Sequence, residues 1–326
     1  MQRLLSVFTV GIVIALFAFA PLLAQAAGLD YYIGVLTRIM IFGVVASSLN
    51  FILGYGGMVS FGHAVFFGLG AYTTAIASFH GITNAWLIWL LAAAVSGLCG
   101  WAMGAIALRT RAVYFIMITM ALAQLFYYFF VGFRYYGGDD GLQITARPVI
   151  GLGLDISSDK GFYLVVLAWL VAVHVLLARL KTSRFCLALN AIRENERRAQ
   201  AIGYSVRQYK LVAFVIAAML AGVAGSLMGM HNLFVSPKLL HWSQSGILLV
   251  MVALGGVGYF YGGILGALVF LSLEEVLSTH FEYWQIYVGL VLLLMVMVAP
   301  QGLGSLATMA KALKGKTLPQ GEQHGA

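Results

Sequence analysis

Eight stretches of about 20 mainly apolar residues recur along this chain and constrain its fold more than any motif does. They run roughly over 4–26, 33–53, 59–79, 85–108, 113–133, 162–180, 211–234 and 283–299. Runs of that length match the hydrocarbon thickness of a bilayer, where a helix satisfies its own backbone N–H and C=O groups. A further stretch, 245–278, is interrupted by GGVGYFYGG at 255–263 and reads as a short helix, a glycine-rich bend and a second helix. The expectation is an all-α polytopic membrane protein with about ten transmembrane helices, some short or broken. Composition closes the soluble alternative. With 62% hydrophobic and 9% charged residues over 326 positions, a soluble fold could not cover its own core.

The net charge of +8 would suit a nucleic-acid binder, but most cations flank apolar runs, as the positive-inside rule requires. Placing the N-terminus in the cytoplasm puts Arg3, Arg109, Arg111, the run 179–210, Lys311, Lys314 and Lys316 on that side. The opposite face then receives Asp30, Asp139, Asp140, Asp155, Asp159, Glu274, Glu275 and Glu282, with Arg134, Arg147, Lys160 and Lys238. Reading 245–278 as one span would leave the basic C-terminal tail outside, so the broken reading is preferred and both termini are cytoplasmic. Residues 1–304 then form one transmembrane domain with a cytoplasmic segment at 181–210, and 305–326 form a polar cytoplasmic tail. Arg3, the first apolar run and AQA at 24–26 also fit a cleavable signal peptide, and cleavage would leave the later topology unchanged.

Few residues carry chemistry. Cys99 and Cys186 have no metal-ligand spacing and read as packing residues. AKALKGKT at 310–317 fits a relaxed phosphate-loop spelling, but it follows a span and enters a polar tail where a strand and a helix are needed. Three G-x-x-x-G pairs, Gly100/Gly104, Gly225/Gly229 and Gly262/Gly266, predict close helix packing. The glycine-dense stretches at 53–71 and 254–268 resemble each other, a hint of an internal repeat with broken helices beside a transport pathway. His63, near Ser60, and Asn50, Thr119 and Gln124 are polar groups within spans; each is either satisfied by a neighbour or lines that pathway. No carboxylate is expected to pair with a cation inside a span, which argues against a proton-relay carrier. Asp139 and Asp140 in YYGGDDGL are either a solvated acidic loop or a docking surface for an external protein.

The densest charge lies in NAIRENERRAQAIGYSVRQYK. A basic loop held at anionic lipid would carry cations without much pattern. Instead both signs occur over a helix-like segment, 186–202, with Leu187, Ala191, Glu194 and Arg198 near one stripe, Arg197 beside it, and Gly203 as the stop. Such a helix suits insertion into a groove on a partner. The segment 190–227, with LNFILGYGGMVSFGHAVFFGLGAY at 49–72, RTRAVYFIMITMALAQ at 109–124, GGDDGL at 137–142 and MVALGGVGYFYGGILGALVF at 251–270, resembles the branched-chain amino acid ABC transporter permeases of the LivM type. The resemblance covers nearly the whole chain, apart from the extreme N-terminus and the tail after Gly304; Asp139 departs from the small residue expected there. It implies that Ala191, Glu194, Asn195, Ala199 and Gly203 belong to a segment engaging a nucleotide-binding subunit. It also implies that Gly56, Gly57, Ser60 and His63 form a broken-helix element near the pathway. The implied assembly holds a second permease, two cytoplasmic ATP-binding subunits carrying ATP and Mg, and a periplasmic binding protein, in the bacterial inner membrane. This chain would bind no cofactor or metal and catalyse nothing. Related permeases handle urea, short amides or other amino acids; a secondary carrier or a membrane-embedded enzyme is the rival class.

Overall fold

The computed structural model describes residues 31–151, 156–298 and 302–303. The first apolar run with its AQA motif, Asp155, the AKALKGKT stretch and the polar tail lie outside the described residues. The helices are α1 (Tyr31–Gly56), α2 (His63–Phe79), α3 (Ala85–Ala107), α4 (Val113–Gly132), α5 (Asp159–Lys181), α6 (Arg184–Glu194), α7 (Glu196–Ala201), α8 (Val206–Asn232), α9 (Trp242–Gly255), α10 (Gly262–His280) and α11 (Trp284–Val298). Among the described residues, sheet is confined to two short antiparallel strands, β1 (Leu142–Gln143) and β2 (Phe234–Val235). Helices α1, α3, α4, α5, α8 and α10 are long and apolar enough to cross a membrane, and α2, α9 and α11 are shorter apolar helices. The protein is an all-α polytopic membrane protein.

Local sequence sets where several helices begin. Asn84, Ser158 and Ser183 cap α3, α5 and α6, each side chain accepting from backbone N–H groups that a first helical turn leaves unpaired. The stretch 245–278 folds as expected from its glycines: α9 ends at Gly255, the chain bends, and α10 starts at Gly262.

The packing is backbone against backbone. A Cβ on Gly225 of α8 would run into the Phe67 carbonyl of α2, and one on Gly222 into the Ser96 side chain of α3. One on Gly100 of α3 would stand 2.5 Å from the Ala218 Cβ of α8. Helix α8 therefore sits between α2 and α3 at a separation that only small residues allow. Gly266 of α10 meets the Met251 carbonyl of α9 in the same way. Hydroxyls reinforce these seams, as with Thr74 Oγ1 and Ser226 Oγ at 2.6 Å between α2 and α8. Ser96 Oγ likewise donates to the Phe66 carbonyl at 3.1 Å.

One expectation is corrected. Arg38 of α1 and Glu274 of α10 form an ion pair at 3.0 Å, so a cation and a carboxylate carried by two candidate spans do meet. They lie near the start of α1 and the end of α10, with side chains 37% and 20% exposed. A guanidinium within an apolar run needs a partner, and this one comes from 236 residues further along the chain. Beside it, the Tyr31 hydroxyl donates to Glu275 Oε1 at 2.6 Å.

Candidate functional site at the glycine breaks and the charged helix pair

Helix α1 runs for 26 residues and stops where Gly57 turns to φ +65°, a conformation that suits glycine. Gly54, one turn earlier, packs on Gly258 so tightly that a Cβ would stand 2.6 Å from the Gly258 Cα. The two glycine-dense stretches that resemble each other in sequence thus touch in space. Asn50 joins them: its Nδ2 donates to the Tyr259 carbonyl at 2.7 Å and its Oδ1 accepts from the Gly258 N–H at 2.9 Å. A helix broken at this depth releases peptide groups that need partners, and the buried Asn50 amide satisfies two of them.

The start of α2 is held by hydroxyls from three directions. Thr119 Oγ1 of α4 accepts from Phe61 N at 3.2 Å, Ser60 Oγ from Gly62 N at 3.1 Å, and Ser245 Oγ of α9 from Ala64 N at 2.9 Å. His63 is fully buried and its Nε2 meets Ser48 Oγ at 2.8 Å, while its Nδ1 has no hydrogen-bond partner among the described residues. Gln124 lies apart, further along α4, with Nε2 3.3 Å from His241 Nε2 and its buried Oε1 unpartnered. Asn50, Gly56 and Gly57 therefore gather at the first break and Ser60, His63 and Thr119 at the entry to α2.

The charged segment corrects a second expectation. A single helix over 186–202 does not form: Asn195 adopts φ −155°, ψ 101°, ends α6 and caps α7 by accepting from Arg198 N. Its side chain offers the backbone an alternative to continuing the helix, which is why asparagine favours such positions. Leu187, Ala191, Glu194, Asn195, Arg197 and Arg198 are all exposed. Ala199 instead turns inward and packs with Ile192 and Val206. Gly203, at φ +99°, ends α7 with open space around its Cα.

Three residues here escaped the sequence reading. Ile202 is 70% exposed and, with Leu187 at 63%, adds apolar surface beside the charges. Glu196 is an ionic hub, paired with Lys210 of α8 and lying 3.8 Å from Arg111 in the turn before α4. Arg193 reaches away from the exposed stripe, and its guanidinium donates to the Gly54 carbonyl at the end of α1. A helical wheel that sets Arg193 and Glu196 off the Leu187–Ala191–Glu194 stripe was the available signal. At the other end of the bundle, Asp139 and Asp140 lie exposed in the 3-10 turn Gly138–Asp140. Nearby, Arg147 pairs with Asp159 at 2.6 Å and stacks 4.8 Å from the Phe162 ring. No group of metal-ligating side chains occurs among the described residues.

A family model described as the branched-chain amino acid transport system / permease component matches residues 31–300. The chain belongs to that family. It is similar to the high-affinity branched-chain amino acid transport system permease protein LivM of Salmonella typhimurium, 28% identical over 295 residues, covering 83% of this chain and 69% of that protein. LivM of Escherichia coli gives the same identity and coverage. The LivH permease protein of Escherichia coli is 24% identical over 281 residues, covering 80% of this chain and 90% of that one. No solved structure matches. The resemblance read from the motifs to LivM-type permeases therefore holds, and the glycine breaks and the α6–α7 pair belong to a transport permease.

Proposed function

We propose that this permease is a non-catalytic inner-membrane subunit of an ATP-driven importer for branched-chain amino acids. About ten spans, counting the apolar run before α1, carry both termini on the cytoplasmic side, which is the side of α6 and α7. Two ATP-binding subunits, which hold ATP and Mg, engage α6 and α7, a second permease completes the pathway, and a periplasmic binding protein docks near Asp139 and Asp140. Closure of the ATPases would pull on the helix pair and rock the spans in an alternating-access cycle. The observation that carries the reading is the exposed face of α6 and α7. Leu187, Ala191 and Ile202 lie exposed there among Glu194, Arg197 and Arg198, with none of the described residues covering them. Exposed apolar groups ringed by charge mark a protein contact better than a lipid one.

The test is reconstitution of the full complex in proteoliposomes, with uptake of leucine, isoleucine and valine compared with urea and short amides. The expected result is uptake of the branched-chain amino acids that needs ATP, both ATPases and the binding protein. Uptake of urea or amides alone would move the substrate class. Uptake by the permease without ATPases would make it a secondary carrier, with the Arg38–Glu274 pair as its first candidate element.

A further inference from the structure

The exposed stripe explains how α6 and α7 meet a partner but not how their position reaches the spans. From the contacts of Arg193 we propose that this residue is the positioning latch between the α6–α7 pair and both glycine breaks. The inference rests on the reading of α6 and α7 as the ATPase contact. Two independent contacts carry it. The guanidinium donates to the carbonyl of Gly54, which lies in the last turn of α1, where helix carbonyls lose their partners and a cation is favoured. The aliphatic stem covers the turn that follows, since a Cβ on Gly57 would stand 3.1 Å from Arg193 Cγ. Leu189, one turn earlier on α6, packs against Gly56.

From Gly54 the connection continues without a gap. Gly54 lies on Gly258, and Asn50, one turn up α1, grips Gly258 N–H and the Tyr259 carbonyl in the bend between α9 and α10. A displacement of α6 along its contact with α1 is therefore passed to the end of one broken helix and directly into the bend of the other. These bends join the two glycine-dense stretches and hold the polar backbone that a pathway would use. Arg193 meets the first break at Gly54 and Gly57 and reaches the α9–α10 bend through Gly54 and Asn50, so it is a positioning residue.

The experiment compares Arg193→Met with Arg193→Lys in the complete reconstituted complex. Arg193 is exposed and its replacement leaves no buried charge alone, so insertion should be normal. Three quantities are read: ATPase association, leucine imported per ATP hydrolysed, and backbone amide exchange over 255–263 with and without bound ATPases. Arg193→Met should bind the ATPases as the unsubstituted chain does, yet import per ATP should fall roughly two- to thirtyfold. ATPase binding should change exchange at 255–263 in the unsubstituted chain but not in Arg193→Met, and Arg193→Lys should recover part of both. Unchanged import per ATP in Arg193→Met overturns the latch. Association falling in step with import also overturns it, because Arg193 would then act at the docking surface. Failure of the unsubstituted chain to bind ATPases overturns the importer reading and the latch together.

Discussion

Cys186 is fully buried in α6, and burial pushes its thiol up, against the opposing pull of Lys181. Little thiolate is present at neutral pH, and the thiolate is the reactive form. A membrane-impermeant maleimide should leave Cys186 unmodified in intact cells and in inverted vesicles alike, and modify it once the protein is denatured. Labelling of native vesicles would contradict its place on the buried face of α6. Glu196 offers a second test at this scale, because it joins α7 to both Lys210 and Arg111. Glu196→Gln should loosen α7 by about 1 kcal/mol or less, read as amide exchange in α7 faster by up to about fivefold. The sequence showed the exposed stripe but not these inward partners, since their mates lie in other helices and no local spacing marks them. Arg38 was hidden in the same way: a single cation inside an apolar run gives no hint of which distant carboxylate it meets.

At the scale of elements, glycine spacing carried most of the architecture. The G-x-x-x-G pairs marked seams that the fold uses, and the interruption at 255–263 marked the α9–α10 bend. Gly225→Val should therefore prevent close approach of α8 and α2, because a side chain there meets the Phe67 backbone, which cannot move aside. Overpacking of this kind costs about 1–3 kcal/mol or more. Gly132→Val, where nothing lies within 4 Å, should be tolerated. Thermal stability of the detergent-purified proteins separates the two, and equal melting would contradict the packing. Periodicity was less informative for the charged segment. Nothing in its 3.6-residue pattern distinguishes one helix from two, and the break rests on a single asparagine whose side chain captures Arg198 N–H.

For the whole molecule, the excess of cations among the described residues lies at one end. Cations Arg111, Arg193, Arg197, Arg198 and Lys210 crowd the α6–α7 end around Glu194 and Glu196, whereas Asp139, Asp140, Glu274 and Glu275 at the other end are mixed with Arg38, Arg134 and Arg147. The positive-inside rule supports the proposed cytoplasmic placement of the α6–α7 end. In a cysteine-free background, Arg197→Cys should label with an impermeant reagent only in inverted vesicles, and Asp139→Cys only in intact cells. The reverse pattern would contradict the topology. Overall hydropathy was legible from the repeated apolar runs, and family membership from the resemblance of motifs such as 49–72 and 190–227 to known permeases. The meeting of Asn50 with Gly258 was not, because it joins positions some 208 residues apart whose approach only the packed bundle decides.

The central claim, that ATP-binding subunits grip the exposed face of α6 and α7, turns most directly on Ala191. It is a small exposed residue between Leu187 and Glu194, where a packed contact would tolerate no added charge. Ala191→Asp should insert normally, since its side chain points away from the bundle. An unpaired carboxylate forced into such a contact costs about 1–3 kcal/mol, which weakens association roughly 5- to 150-fold. The measurement is the affinity of the purified ATPases for the permease in nanodiscs, taken with substrate-stimulated ATP hydrolysis in the same complex. The account predicts that both fall together in Ala191→Asp. Unchanged affinity and hydrolysis in a stably inserted Ala191→Asp protein would contradict it and leave α6 and α7 as a surface held against lipid.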